Sequence, residues 1–279
     1  MAEPSLPPDT AYHGDPRHYD RSRALPPAVH AAIVAALVAA LPPTGWVLDV
    51  GAGSGRFALP LAAQGYRVLA LDASAEMLRH LQAKRPPGQT VPFPLLADAQ
   101  AIPLAGEACA AALSVHTLHL VPDLPRAVAS LRRVLPPHGL MALGYIAHHP
   151  RDPVGWVLQA WREALARHGY DLDRPLWRDM PAVEAALARA FGSPRTVVAA
   201  RWQQPIAASQ ALQAVAQRMF TPYWGLPDPE HQAIVAELTA AARRFFPDLT
   251  TPQPDRRRFV WRFYRRPLTA NRHPLTANC

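Results

Sequence analysis

Three glycines at alternate positions, Gly51-Ala52-Gly53-Ser54-Gly55, end the apolar run Trp46 to Val50 and open a helical pattern that continues through Gln64. A strand that stops in a glycine cluster and passes straight into a helix lets the backbone approach a ligand and aims N–H groups at it. A second strand, Arg67 to Leu71, follows. Strand, turn, helix, strand is a unit that builds a parallel sheet.

The alternation continues with a helix from Ser74 to Lys84, strands Val91 to Ala97 and Ala110 to Val115, a helix Leu124 to Leu135 and a strand Leu140 to Tyr145. Strands separated by helices predict an α/β fold, a mostly parallel sheet with helices on both faces. Upstream, Ile33, Val34, Leu37, Val38 and Leu41 recur at helical spacing until Pro42-Pro43 ends the run. Residues 1–18 are polar and proline-rich and read as a loose arm. Downstream, Val154 to His168, Ala182 to Ala190, Ala208 to Met219 and Pro229 to Phe246 read as helices, and Arg195 to Trp202 and Arg257 to Tyr264 as strands. The expected division is an arm over 1–23, a single domain over 24–266 and a tail over 267–279. Within that domain a core spans 45–146 and a helical insert lies at about 150–192.

Cys109 and Cys279 are the only cysteines, so neither a disulfide framework nor a thiolate zinc cluster is available, and a cytoplasmic home is expected. No apolar stretch approaches the roughly 20 residues that span a bilayer, and Glu3 and Asp9 spoil a secretory leader. The formal net charge of +8 is arginine charge, Lys84 being the sole lysine. The arginines are dispersed apart from Arg256 to Arg258 and Arg265-Arg266, so nucleic acid is not an expected partner. His148-His149 and the scattered acids lack ligand spacing; no metal site is expected, and the His pair reads as solvated.

The glycine spacing discriminates between cofactors. A dinucleotide fold wants a third glycine at position 56, where this chain has Arg56. Asp49, two residues before the first glycine, would repel a pyrophosphate but suits a cationic or zwitterionic ligand. Asp72 closes the second strand, where a carboxylate can accept both hydroxyl protons of a ribose. Asp98 follows the third strand, placed to accept from an exocyclic amine. Either could instead be a turn or helix-cap residue. Three acids at successive strand ends on one rim form a set.

Val47 to Phe57, Asp72, Asp98-Ala99 and the stretch Ala112 to Asp123 together resemble the class I S-adenosylmethionine-dependent methyltransferases, in the small-molecule branch of the ubiquinone and menaquinone biosynthesis enzymes. The resemblance covers roughly residues 45–146. It implies a seven-stranded Rossmann-like sheet whose last hairpin, Arg195 to Trp202 with Arg257 to Tyr264, carries one antiparallel strand, and a helical cap. It further implies S-adenosylmethionine across the strand ends: Gly51, Ala52, Gly53 and Gly55 by the methionine part, Asp72 on the ribose, Asp98 and Ala99 by the adenine, and Asp49, Ala73, Met77 and Val115 nearby. In His18-Tyr19-Asp20-Arg21-Ser22-Arg23, Tyr19 and Arg23 resemble an element that folds over this cofactor and holds its carboxylate. The chain departs from the family at Ala108-Cys109-Ala110, where an aromatic-Asp pair is usual, and at Pro60, which removes an N–H from the helix after the glycine turn.

The expected activity is methyl transfer to a small, apolar or aromatic acceptor at an oxygen, nitrogen or carbon atom; the alternative is a non-catalytic binder of the cofactor or its demethylated product. Nicotinamide chemistry is disfavoured by Arg56 and Asp49. If the acceptor must lose a proton, His116, after the fourth strand, is the expected base, with His119 second. No Asn-Pro-Pro-aromatic element for base methylation follows that strand. Trp156, Trp161 and the loop Tyr223-Trp224 are expected to wall the acceptor cavity.

Overall fold

The computed structural model describes residues 16–84, 91–173, 178–219, 223 and 225–268. Trp224, most of the arm and nearly all of the tail lie outside them. The sheet order is β3-β2-β1-β4-β5-β7-β6, with β1 Trp46–Val50, β2 Arg67–Asp72, β3 Phe93–Leu96, β4 Ala111–Val115, β5 Leu140–His148, β6 Arg195–Ile206 and β7 Gln253–Arg265. β1 to β5 run parallel, and β7 is antiparallel to both β5 and β6. The expected topology holds; the last hairpin is longer than its sequence pattern, and β3 is shorter.

Helices α1 Pro16–Ser22, α2 Pro27–Val38, α3 Ala58–Ala63, α4 Ala75–Ala83, α5 Leu124–Val134, α6 Pro153–Arg167, α7 Met180–Phe191, α8 Ala208–Ala216 and α9 Asp228–Phe245 complete the described fold. Five of the 32 prolines stand at helix starts: α2, α5, α6, α7 and α9 each place proline in the first two positions, where no N–H partner is lost. Ser74, Asp123 and Asp179 cap α4, α5 and α7 through their side chains.

One face of the sheet buries Ile33 and Leu37 of α2, Leu61 of α3 and Trp261 of β7, whose indole N–H donates to the Ile33 carbonyl at 3.0 Å. The opposite face buries Leu131 of α5 and Leu187 and Phe191 of α7. A third core, Trp161, Leu165, Leu212, Ile234 and Leu238, joins α6, α8 and α9 into a cap. The cap is thus α6, α8 and α9, whereas α7, grouped with the insert by its position in sequence, packs against the sheet beside α5.

Pro60 is the third residue of α3. Leu59 and Leu61 on either side donate to the Gly55 and Phe57 carbonyls, so the missing N–H would have served Arg56. The His30 ring, from α2, supplies that bond to the Arg56 carbonyl at 3.0 Å. The Arg56 carbonyl is therefore not left an orphan acceptor.

Candidate functional site

The carboxyl ends of β1, β2, β3 and β4 face the cap across a cavity of about 1100 Å³. Nine residues expected to hold the cofactor line it, Tyr19, Arg23, Gly51, Gly53, Asp72, Ala73, Met77, Asp98 and Ala99, together with the candidate bases His116 and His119. A small hollow behind the glycine turn is lined by Asp49, Ala52 and Val115, with Tyr19 and Gly51 shared. Gly55 belongs to the packing instead: a Cβ there would sit 2.9 Å from Leu59 and Leu81.

The glycine turn works differently from its sequence reading. Its amides are not free: Gly51 and Ala52 donate to the Leu71 carbonyl at 2.8 and 2.9 Å, Gly55 donates to Ala52, and Gly53 donates to Asp72 Oδ2 at 2.7 Å. What the turn offers a ligand is room. Gly53, at φ +54°, has nothing within 4 Å of where a Cβ would stand, and Gly51, at φ +75°, lies so close to Thr117 that no side chain fits between them.

Asp72 accepts from Gly53 and, at 2.9 Å, from the Ser74 N–H, which fixes its carboxylate at the strand end. Burial nevertheless raises its pKa. Asp49, 3% exposed, is pushed up to about 7 by burial and by repulsion from Asp72, against a hydrogen bond from the Ala58 N–H. Two mutually repelling carboxylates, Asp72 at the cavity and Asp49 in the hollow behind the turn, form a site that gains from a positive charge. Asp98 accepts from the Gln100 backbone and side chain at 2.8 and 2.7 Å, so it caps a short turn as well as lining the cavity.

The arm element closes over this rim through a residue the sequence reading passed over. Asp20 accepts from Ser54 Oγ, from His80 Nε2 at 2.8 Å and from Lys84 Nζ at 2.5 Å, and Lys84 also donates to the Ser54 carbonyl at 2.9 Å. The chain's sole lysine thus pins α1 to α4 and to the glycine turn. Arg23 and Arg56 both stand 5.9 Å from the Tyr19 ring centroid.

His116 sits at φ +54°, a left-handed backbone that a non-glycine residue holds only where its surroundings impose it. Its Nε2 accepts from the Ile146 N–H at 3.3 Å, which puts the ring proton on Nδ1. Burial and the neighbouring Arg23, His119, Arg56 and His148 hold its pKa well below the ordinary value. A ring with its lone pair engaged and its basicity suppressed is poorly set for the expected role of general base. His119, ring centroid 6.5 Å away, is pushed down to about 4 by burial, Arg23 and Arg178, and its buried Nδ1 has no partner.

On the cap side, Trp161 and Tyr223 line the cavity with their ring centroids 5.2 Å apart, while Trp156 packs away from it against Phe245 and Phe246. The two adjacent histidines divide. His149 is partly exposed beside Asp152, whereas His148 lines the cavity with Nδ1 3.4 Å from the fully buried Asp255, which also pairs with Arg257. Buried as it is, Asp255 is held below the usual carboxylate range by His148 and Arg257. Among the described residues no cluster of His, Cys, Asp and Glu could hold a metal, and no helix is long and apolar enough to cross a membrane.

Residues 48–143 match the methyltransferase domain family. An uncharacterized methyltransferase of Mycobacterium bovis is 38% identical over 123 residues, 44% of this chain and 47% of that protein. The malonyl-[acyl-carrier protein] O-methyltransferase of Methylococcus capsulatus is 35% identical over 126 residues, 44% of this chain and 46% of that protein. The chain spans about half the length of the curated relatives it matches. Among solved structures, the YcgJ protein of a Bacillus shares the fold at a TM-score of 0.56 and 19% identity, covering 87% of this chain and 99% of that one. The [4+2]-cyclase SpnF shares it at 0.51 and 16% identity, covering 93% and 86%. The fold therefore serves more than one chemistry, and the rim residues rather than the topology argue for function. Over residues 48–143, the part of the chain that runs from β1 through β4 and holds the glycine turn, the chain is similar to the methyltransferase domain family.

Proposed function

We propose that this protein binds S-adenosylmethionine at the β1–β4 rim and transfers its methyl group to a small acceptor held between the rim and the cap. The observation that supports this best is the pair Asp49 and Asp72: a buried carboxylate and a half-buried one that repel each other, both with raised pKa values, beside a glycine that leaves open space. A ligand bearing an ammonium or sulfonium relieves their repulsion; a phosphate ligand would add to it.

When bound, the cofactor supplies the activated methyl group, so the protein's task is alignment and electrostatics. Asp72, oriented by Gly53 and Ser74, is the acceptor for ribose hydroxyls; Asp98 and Ala99 serve the adenine; Tyr19 and Arg23 cover the carboxylate end, with Ala52, Met77 and Val115 shaping the walls. His116, neutral and bonded to Ile146, positions the acceptor and does not draw off its proton. That arrangement serves an acceptor that is nucleophilic without losing a proton. The M. capsulatus relative, named for O-methylation of a malonyl group on acyl-carrier protein, sets a precedent for an oxygen acceptor. Incubation with methyl-labelled cofactor and a panel of small acids, phenols and amines tests the proposal. Labelled product is expected, and binding without transfer to any acceptor would support the non-catalytic reading instead.

A further inference from the structure

The cations around the cavity are unevenly matched. Arg257 is paired with Asp255, and Arg162 with Asp179 at 3.0 Å. Arg178 differs. Its guanidinium donates to the Val121 carbonyl at 2.9 Å, and among the described residues no carboxylate lies within ion-pair distance of it; Asp173, Asp123 and Asp171 act only from farther away. It lines the cavity next to the turn that carries His119, whose enclosed Nδ1 is likewise without a hydrogen-bond partner. A partly buried guanidinium anchored by one N–H, with donors to spare and no counter-charge, faces a cavity whose neighbouring ring nitrogen also lacks a partner.

Resting on the cofactor reading above, we infer that the acceptor bears a carboxylate and that Arg178 seats it, with His119 Nδ1 taking a hydrogen bond from a polar group of the same molecule. A planar carboxylate matches the guanidinium fork, and it supplies the close negative partner that Arg178 lacks among the described residues. Trp161 and Tyr223 leave apolar wall for the rest of the acceptor. Arg178 would then be a specificity residue, reading one group of the acceptor independently of the acids that hold the cofactor.

The test uses the whole chain saturated with S-adenosylhomocysteine and three matched pairs: benzoate and benzamide, 3-phenylpropanoate and 3-phenylpropanamide, octanoate and octanamide. Calorimetry should show at least one acid binding about 10-fold or more tightly than its amide. Arg178→Met should abolish that preference and Arg178→Lys should keep part of it, and S-adenosylhomocysteine titration of the same variants reports that they are folded. If no acid is preferred over its amide, or the preference survives in Arg178→Met, the inference is wrong while the cofactor reading stands. If the wild-type chain fails to bind S-adenosylhomocysteine, both fall together.

Discussion

His30 Nε2 donates to the carbonyl oxygen of Arg56, the oxygen that Pro60 four residues later has no N–H to satisfy. A histidine from α2 completes the first turn of α3 and so fixes the exit of the glycine loop. Removing it leaves a partly buried carbonyl unpaired at a cost of about 1–3 kcal/mol. His30→Ala should lower the unfolding free energy by that order in urea titrations. Pro60→Ala restores an N–H in the right place, so the double variant should lose measurably less than the two single losses added together, with a coupling of about 0.5 kcal/mol or more. Strict additivity would mean that the bond carries no weight.

The buried titratable groups set opposite pH dependences. His30, His116, His119 and His231 all have folded pKa values below 6.5, His119 reaching about 4. Their stabilisation is present above pH 6.5 and is lost as pH falls toward 4. Asp49 is raised from 3.8 to about 7, so its contribution is present below pH 3.8 and lost as pH rises through 7. Asp49→Asn removes the second effect alone. The ligand-free variant should be more stable than wild type at pH 8 by roughly 1 kcal/mol or more, and its stability should climb more steeply from acid to neutral pH. Parallel pH profiles for the two proteins would show that Asp49 is not held above its ordinary value.

The Asp20 latch predicts a kinetic effect. Lys84→Met leaves the sheet core untouched but removes the lysine's bonds to Asp20 of α1 and to the Ser54 carbonyl of the glycine turn, leaving Ser54 Oγ and His80 as the remaining partners of Asp20. Dissociation of S-adenosylhomocysteine in stopped flow should quicken by about 5-fold or more, with global stability changed by less than about 1 kcal/mol, as expected for a half-exposed ion pair. An unchanged dissociation rate would remove α1 from the cofactor's exit.

The parts of this molecule that could be read from sequence are those whose cause is local. Alternating apolar runs fixed the parallel sheet, and Gly51, Asp72 and Asp98 were visible because each follows a strand within a few residues. Arg178 was not, because it reaches the rim from the stretch ahead of α7, which has no periodic pattern, and only the fold sets it beside Val121. The amides of the glycine turn were misjudged for a related reason. Whether an N–H is free depends on the neighbouring strand, and Leu71 of β2 had already claimed two of them. His148 looked solvated as half of a His-His pair, but strand alternation at the end of β5 turns it toward Asp255 while His149 faces outward.

Asp49 and Asp72 make the central claim measurable in a single titration. Binding of a ligand whose ammonium or sulfonium sits near these carboxylates favours their ionised forms, so the complex should release protons near pH 6.5. Calorimetry of the purified chain with S-adenosylmethionine and S-adenosylhomocysteine, repeated in buffers of different ionisation enthalpy, should give saturable one-to-one binding with net proton release. Affinity should fall about 10-fold or more in Asp72→Asn. A well-folded protein that gives no binding heat and no thermal shift with either compound would contradict the account.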